Sequence, residues 1–191
     1  MVKHILIGTI LLLSAGAFAQ PTAAQVTKQK PIYEQETFSI VPGTLRAMFE
    51  TADAIVDVNV LSSNVKGIGA NPKVRTFYTA KVLRVLKGNV GEKNRITFSH
   101  AAGNLELSDR ILRAAADPLS VGQRYIVFLY RDQPQFGGWT VLGEREGVFK
   151  IRDGRIEPEG RGHAAEMQRN LSERAFEGSI RQLAHTVGEK E

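Results

Sequence analysis

The chain has 191 residues, 42% of them hydrophobic and 24% charged, with a net charge of +5 and no cysteine. That size fits one domain able to bury a usable core. The absence of cysteine excludes disulfides, thiolate metal sites and thiol chemistry, and a mild positive charge without any basic block makes no case for nucleic acid.

The N-terminus carries a three-part export pattern. Lys3 and His4 are basic, Ile5 to Leu13 is apolar apart from Gly8 and Thr9, and Ser14 to Ala19 is rich in small residues. Ala17 and Ala19 stand at −3 and −1 of a cleavage site before Gln20, so residues 1–19 read as a signal peptide. The alternative, a membrane anchor, asks for an apolar run of roughly 20 residues, longer than the one present. Cleavage removes one full charge, Lys3, and leaves 172 residues at +4. An exported domain without disulfides points to a bacterial periplasm or medium.

Residues 20–43 are polar, contain Pro21 and Pro31, and show no period, so a flexible linker is expected there. Thr44 can cap a short helix, Leu45 to Thr51. Ala54 to Leu61 alternates, with Val56, Val58 and Val60 on one face. Ser62 to Lys73 holds Gly67, Gly69 and Asn71-Pro72 and reads as a loop. Thr76 to Leu86 is a long strand whose apolar phase shifts near Arg84, the mark of a bulge or sharp bend. Arg95 to His100 is a third strand, with Ile96 and Phe98 inward.

Ser108 can cap a helix, Asp109 to Ala116, that Asp117-Pro118 would stop. Arg124 to Tyr130 is apolar on both faces and must be covered on both. Trp139 to Leu142 and Gly147 to Ile151 are strand pieces, and Asp153-Gly154 between two isoleucines signals a tight hairpin. Ser172 caps a last helix running to about Val187, with a stripe of Phe176, Ile180, Leu183 and Val187 that needs a surface, here the outer side of Ile126 and Phe128. The domain thus spans 44–187, and 188–191 is a tail.

This order predicts a mainly β, α+β domain. Three strands, a short helix, two more strands and a closing helix is the order of an OB-like five-stranded Greek-key barrel. A sandwich of two small sheets is the alternative.

Four segments carry a family likeness: Ala52-Asp53-Ala54-Ile55-Val56, Val82 to Gly88, Gly122 to Leu129, and Gly147 to Ile151. In this order they resemble the bacterial relatives of the netrin-like module, the OB-type domain shared with tissue inhibitors of metalloproteinases. The resemblance spans about Thr44 to Val187 and implies the OB fold. The animal inhibitors act through an N-terminal cysteine on the protease zinc; the expected mature N-terminus here is Gln20, so protease inhibition does not carry over.

No chemistry-bearing motif emerges. His100 ends a strand, while His163 and His185 belong to a linker and a helix, and none sits in a nucleophile motif. His163 and Glu166 form the only local pair at metal-ligand spacing. Glu144-Arg145-Glu146 reads as a solvated turn rather than a catalytic carboxylate pair. The expectation is therefore an exported, non-enzymatic module without metal or cofactor, binding an unidentified protein or envelope component. A scaffolding domain without a ligand comes second and an unrecognised hydrolase third. In an OB barrel the binding face is strands two and three with the loops after strands one and four, which nominates Lys66, Lys73, Arg131, Phe136 and Trp139.

Overall fold

The computed structural model describes residues 32–35, 42–70, 72–91, 94–114, 116–132 and 138–188. The expected signal peptide, most of the expected linker, Phe136 and residues 189–191 lie outside them. The chain is mainly β. Its strands are β1 (Ile32–Gln35), β2 (Ala54–Ile68), β3 (Lys73–Lys87), β4 (Arg95–His100), β5 (Asn104–Glu106), β6 (Ile111–Ala114), β7 (Arg124–Arg131), β8 (Trp139–Val141), β9 (Val148–Arg152) and β10 (Arg155–Pro158). Its helices are α1 (Leu45–Thr51), α2 (His163–Glu166) and α3 (Glu173–Gly188). Among the described residues no helix is long and apolar enough to cross a membrane.

The spine is the β2–β3 hairpin, which is longer than its sequence suggests. The expected loop Ser62 to Lys73 is mostly strand, because the ladder continues to Ile68 opposite Lys73. The ladder slips at three places, leaving Leu86 and Leu83 of β3 and Leu61 of β2 as extra residues. Two of these slips bracket Arg84, where the apolar phase changes. Each bulge adds bend and twist, so the hairpin curls instead of lying flat.

Seven strands are ordered β10-β9-β7-β2-β3-β4-β8, and β8 also pairs with β7. β4 meets β8 in parallel at Ser99 and Thr140, and β8 runs antiparallel to β7 over Leu129 to Arg131. The pairings from β7 through β2, β3, β4 and β8 therefore return on themselves. Alternation then sorts the side chains. Val56, Val58 and Val60 of β2 meet Tyr125, Val127 and Leu129 of β7 in an inner cluster with Tyr78 and Phe98, whose rings stack 5.3 Å apart. The Tyr78 hydroxyl accepts a hydrogen bond from the Leu119 backbone, and burial pushes its pKa up to about 12. Ile55, Ile126 and Phe128 point outward into a second cluster.

That outer cluster is where α3 lies. Ser172 accepts from the Ala175 amide as its cap, Phe176 and Ile180 are fully buried against Ile126 and Phe128, and Leu183 and Val187 pack at the margin. Phe128, Phe149 and Phe176 form a run of ring contacts at 5.4 and 4.8 Å. α1 is capped by Thr44 and adds Met48 and Phe49 to the same cluster. The Lys87 ammonium closes the far end of α1 by donating to the carbonyls of Phe49 and Ala52, above the Phe49 ring.

Two expected segments differ. Asp109 to Ala116 is not a helix: Ile111–Ala114 is strand β6, paired with β5 in a hairpin. Its buried residues, Leu112 and Ala114, alternate with exposed Arg113 and pack on Val74 and Val65 of the long hairpin, and this contact outweighs a short, weakly capped helix. Within the expected linker, Ile32–Gln35 forms β1, parallel to β6, whose backbone groups would otherwise line an open edge.

Candidate ligand-binding face

The outward side of the long sheet has two halves. Under α3 the outward positions include Asp57 of β2, fully buried, with Arg84 of β3 and Arg124 of β7 beside it. Arg124 donates through Nε to Asp57 Oδ1 at 2.8 Å, and Arg84 donates through Nε and Nη2 to Oδ2 at 3.1 and 3.0 Å. α3 supplies the remaining anions. Glu173 accepts from Arg84 at 2.6 Å and from Arg124 at 2.7 and 3.1 Å, and Glu177 accepts from Arg84 at 2.8 Å. Burial works against ionisation of Glu173, but Arg124 and Arg84 outweigh it and hold its carboxyl below the usual range. Burial pushes Glu177 upward, with Arg84 opposing. The same hydrogen bonds to Asp57 raise Arg124.

Asp57, Glu173 and Glu177 lie close enough to hold a metal ion together. Two guanidiniums already occupy their oxygens, so the cluster is an ion-pair network and its donor set does not fit a cation.

The other half of this side carries no helix among the described residues. By alternation from buried Tyr78 and Ala80, the outward residues of β3 are Lys73, Arg75, Phe77, Thr79 and Lys81. Those of β4 are Arg95, Thr97 and Ser99, and the far part of β2 adds Ser62, Asn64 and Lys66. Two like-charged pairs stand directly opposite each other, Lys66 with Arg75 and Lys81 with Arg95. Such pairs are destabilising in a sheet. No acidic residue occupies an outward position on these stretches, and among the described residues no carboxylate pairs with Lys66, Lys73, Lys81 or Arg95. The Lys66 ammonium sits 5.4 Å from the centre of the Phe77 ring.

At the edge of this face Arg75 donates to Ser99 at 3.1 Å and to Thr140 at 3.3 Å, and Thr140 donates to Asp132 at 3.0 Å. Hydroxyls thus fix the guanidinium in the plane of the face. Beyond them lies Tyr130, whose phenol is raised first by burial and then by Asp132.

The nominated residues fall into separate places. Lys66 and Lys73 belong to this outward face. Arg131 and Trp139 do not: Trp139 precedes outward Thr140, packs against the inner cluster, and has the Arg131 guanidinium 4.9 Å from its ring centre. Phe136 lies outside the described residues. The rest of the face, Arg75, Phe77, Lys81 and Arg95, was missed by sequence reasoning. The signal was available, because Lys73, Arg75 and Lys81 recur at even spacing, but only the register shows which cations oppose each other.

The other candidates resolve into structure. His163 and His185 are exposed, and Glu166 is held by Arg169 at 2.7 and 2.8 Å. Glu146 is not in a solvated turn; its Oε1 accepts from the amides of Arg161 and Gly162, tying the 3₁₀ turn Glu144–Gly147 to the start of α2. His100 is buried with neither ring nitrogen in hydrogen-bond geometry. Burial first, then Arg75 and Arg145, lower its pKa to about 3, with the Glu144 backbone opposing. No hydrogen bond joins a histidine to a hydroxyl among the described residues.

No protein-family model matches the chain, and no curated protein matches it.

Proposed function

We propose that this protein is an exported, non-enzymatic binding module of the cell envelope, and that it binds through the outward face of β3 and β4. The observation that carries the reading is the like-charged opposition of Lys81 and Arg95, neither of them paired with a carboxylate among the described residues. A sheet that keeps such an unfavourable pair in water has a use for the charge once a ligand arrives.

The position agrees with an OB-like barrel of the netrin-like kind. In that reading β2, β3, β4, β7 and β8 are strands one to five. Their pairing order, with three beside five in parallel, supports a Greek-key closure. β3 and β4 are then strands two and three, the side on which such barrels hold ligands. Export rests on the pattern in residues 1–19.

The test is capture from an envelope fraction by the purified protein and by Lys81→Glu/Arg95→Glu. Loss of capture in a variant that melts like the parent supports the reading. Equal capture by both overturns it.

A further inference from the structure

We infer that Lys81 and Arg95 recognise a phosphate monoester on a sugar, carried by a saccharide of the envelope; this rests on the binding-face reading above and names the chemistry that the face takes.

The site is smaller than the face. At one end Arg75 is engaged by the hydroxyls of Ser99 and Thr140, with Tyr130 and Asp132 beside it, and the Lys66 ammonium lies over the Phe77 ring. At the other end Lys81 and Arg95 are exposed, and among the described residues neither a carboxylate nor a ring meets them. They stand directly opposite each other on β3 and β4. The Cβ atoms of such a pair are about 5 Å apart, so both head groups can close on one tetrahedral anion. The guanidinium fork takes two of its oxygens and the ammonium a third.

Charge selects the anion. Two unmatched cations at one point call for two negative charges at one point. A phosphate monoester carries about −1.5 to −2 near neutral pH. A carboxylate, a sulfate ester or a phosphodiester carries one, which leaves half of the opposition unrelieved.

The surroundings select what bears the phosphate. Asn59 faces Lys81 from β2, and its Oδ1 is out of water without a donor. A phosphate dianion has no proton to give, whereas a ligand hydroxyl beside it has one. Thr79 and Thr97 form the next outward pair on β3 and β4, and Ser62 stands opposite Thr79. The outward positions bordering the cations thus offer hydroxyl and amide groups, which suit sugar hydroxyls. An acyl chain beside the phosphate would ask for apolar ones.

Calorimetric titration of the purified protein at pH 8 tests the inference. The probes are glucose 6-phosphate, inorganic phosphate, glucose 6-sulfate and vesicles containing phosphatidic acid. Glucose 6-phosphate is expected to bind more tightly than the other three, and less tightly as salt rises. Lys81→Gln/Arg95→Gln should weaken glucose 6-phosphate and inorganic phosphate alike, about tenfold or more, while melting no lower than the parent. Thr79→Val/Thr97→Val should weaken glucose 6-phosphate and leave inorganic phosphate as it was. Four results would each overturn the assignment: no binding of glucose 6-phosphate, equal binding of the sulfate, tighter binding of the vesicles, or indifference to either double variant. If it is overturned while envelope capture still depends on Lys81 and Arg95, the ligand class alone falls. If capture is indifferent as well, the binding face falls with it.

Discussion

Arg124 grips Asp57 with one edge of its guanidinium, Nε on Oδ1 and Nη2 on Oδ2, from the strand next to the one that carries the carboxylate. Arg84 reaches the same carboxylate from the opposite neighbour. Three strands and, through Glu173 and Glu177, the last helix are joined by this one group.

Asp57→Ala should therefore uncouple the sheet from α3. It leaves two cations facing each other beneath the helix with one anchor fewer. Both arginines keep partial solvent contact, which limits the loss to on the order of 2 kcal/mol. Chemical denaturation measures it, and an unchanged midpoint would show that Glu173 and Glu177 suffice.

Phe176→Ala should be worse. The ring is fully buried, 4.8 Å from Phe149, and its removal leaves a cavity that the rigid sheet cannot close. A loss of about 3–5 kcal/mol is expected, a large share of a domain's stability. If α3 were instead a docking stripe for another protein, the thermal midpoint of the variant would stay where it is.

Gly88 follows β3 with φ of +74°, and a Cβ there would lie 2.0 Å from the Asp53 carbonyl oxygen. Gly88→Ala meets both strain and collision with backbone. The expected cost is on the order of 2 kcal/mol or more. A thermal melt no lower than the parent's would place the β3 terminus differently.

His100 makes stability depend on pH. Its pKa is about 3 in the folded chain against roughly 6.5 when exposed, so between these values the unfolded state binds the extra proton. The stabilisation is complete above about pH 6.5 and is lost as pH falls toward 3. His100→Gln should flatten the stability profile between pH 4 and about 6.5. An identical slope in parent and variant would assign the acid sensitivity to other groups.

Legibility in the sequence followed the range of the interaction. Caps are local, so Thr44 and Ser172 could be read directly, and so could the Asp153-Gly154 hairpin, whose residues both take positive φ. The two-sided burial of Arg124 to Tyr130 was visible because each face of a strand shows its covering in every second residue. The phase change at Arg84 announced the bulge. The β5–β6 hairpin was not legible: Leu112 is decided by Val74 and Val65, far along the chain, and a capped eight-residue stretch imitates a helix when that contact is unseen. The Asp57 network had no signature at all. Its members come from β2, β3, β7 and α3, and only Glu173 and Glu177, four apart on one helix, carry any local spacing. The proposed binding face was half legible, as cations on alternate positions, while opposition across the ladder is a property of register.

Trp139 is the only tryptophan in the chain, and it stands on β8, where the sheet's last strand meets β7. Its indole rests on the inner cluster with a guanidinium against the ring. Nature has in effect placed a single optical reporter at the seam of the molecule. Its emission registers the joining of β8 to β7, whereas far-ultraviolet dichroism is weighted toward the helices. Recording both during one unfolding experiment separates release of the helix from opening of the seam, without attaching any label.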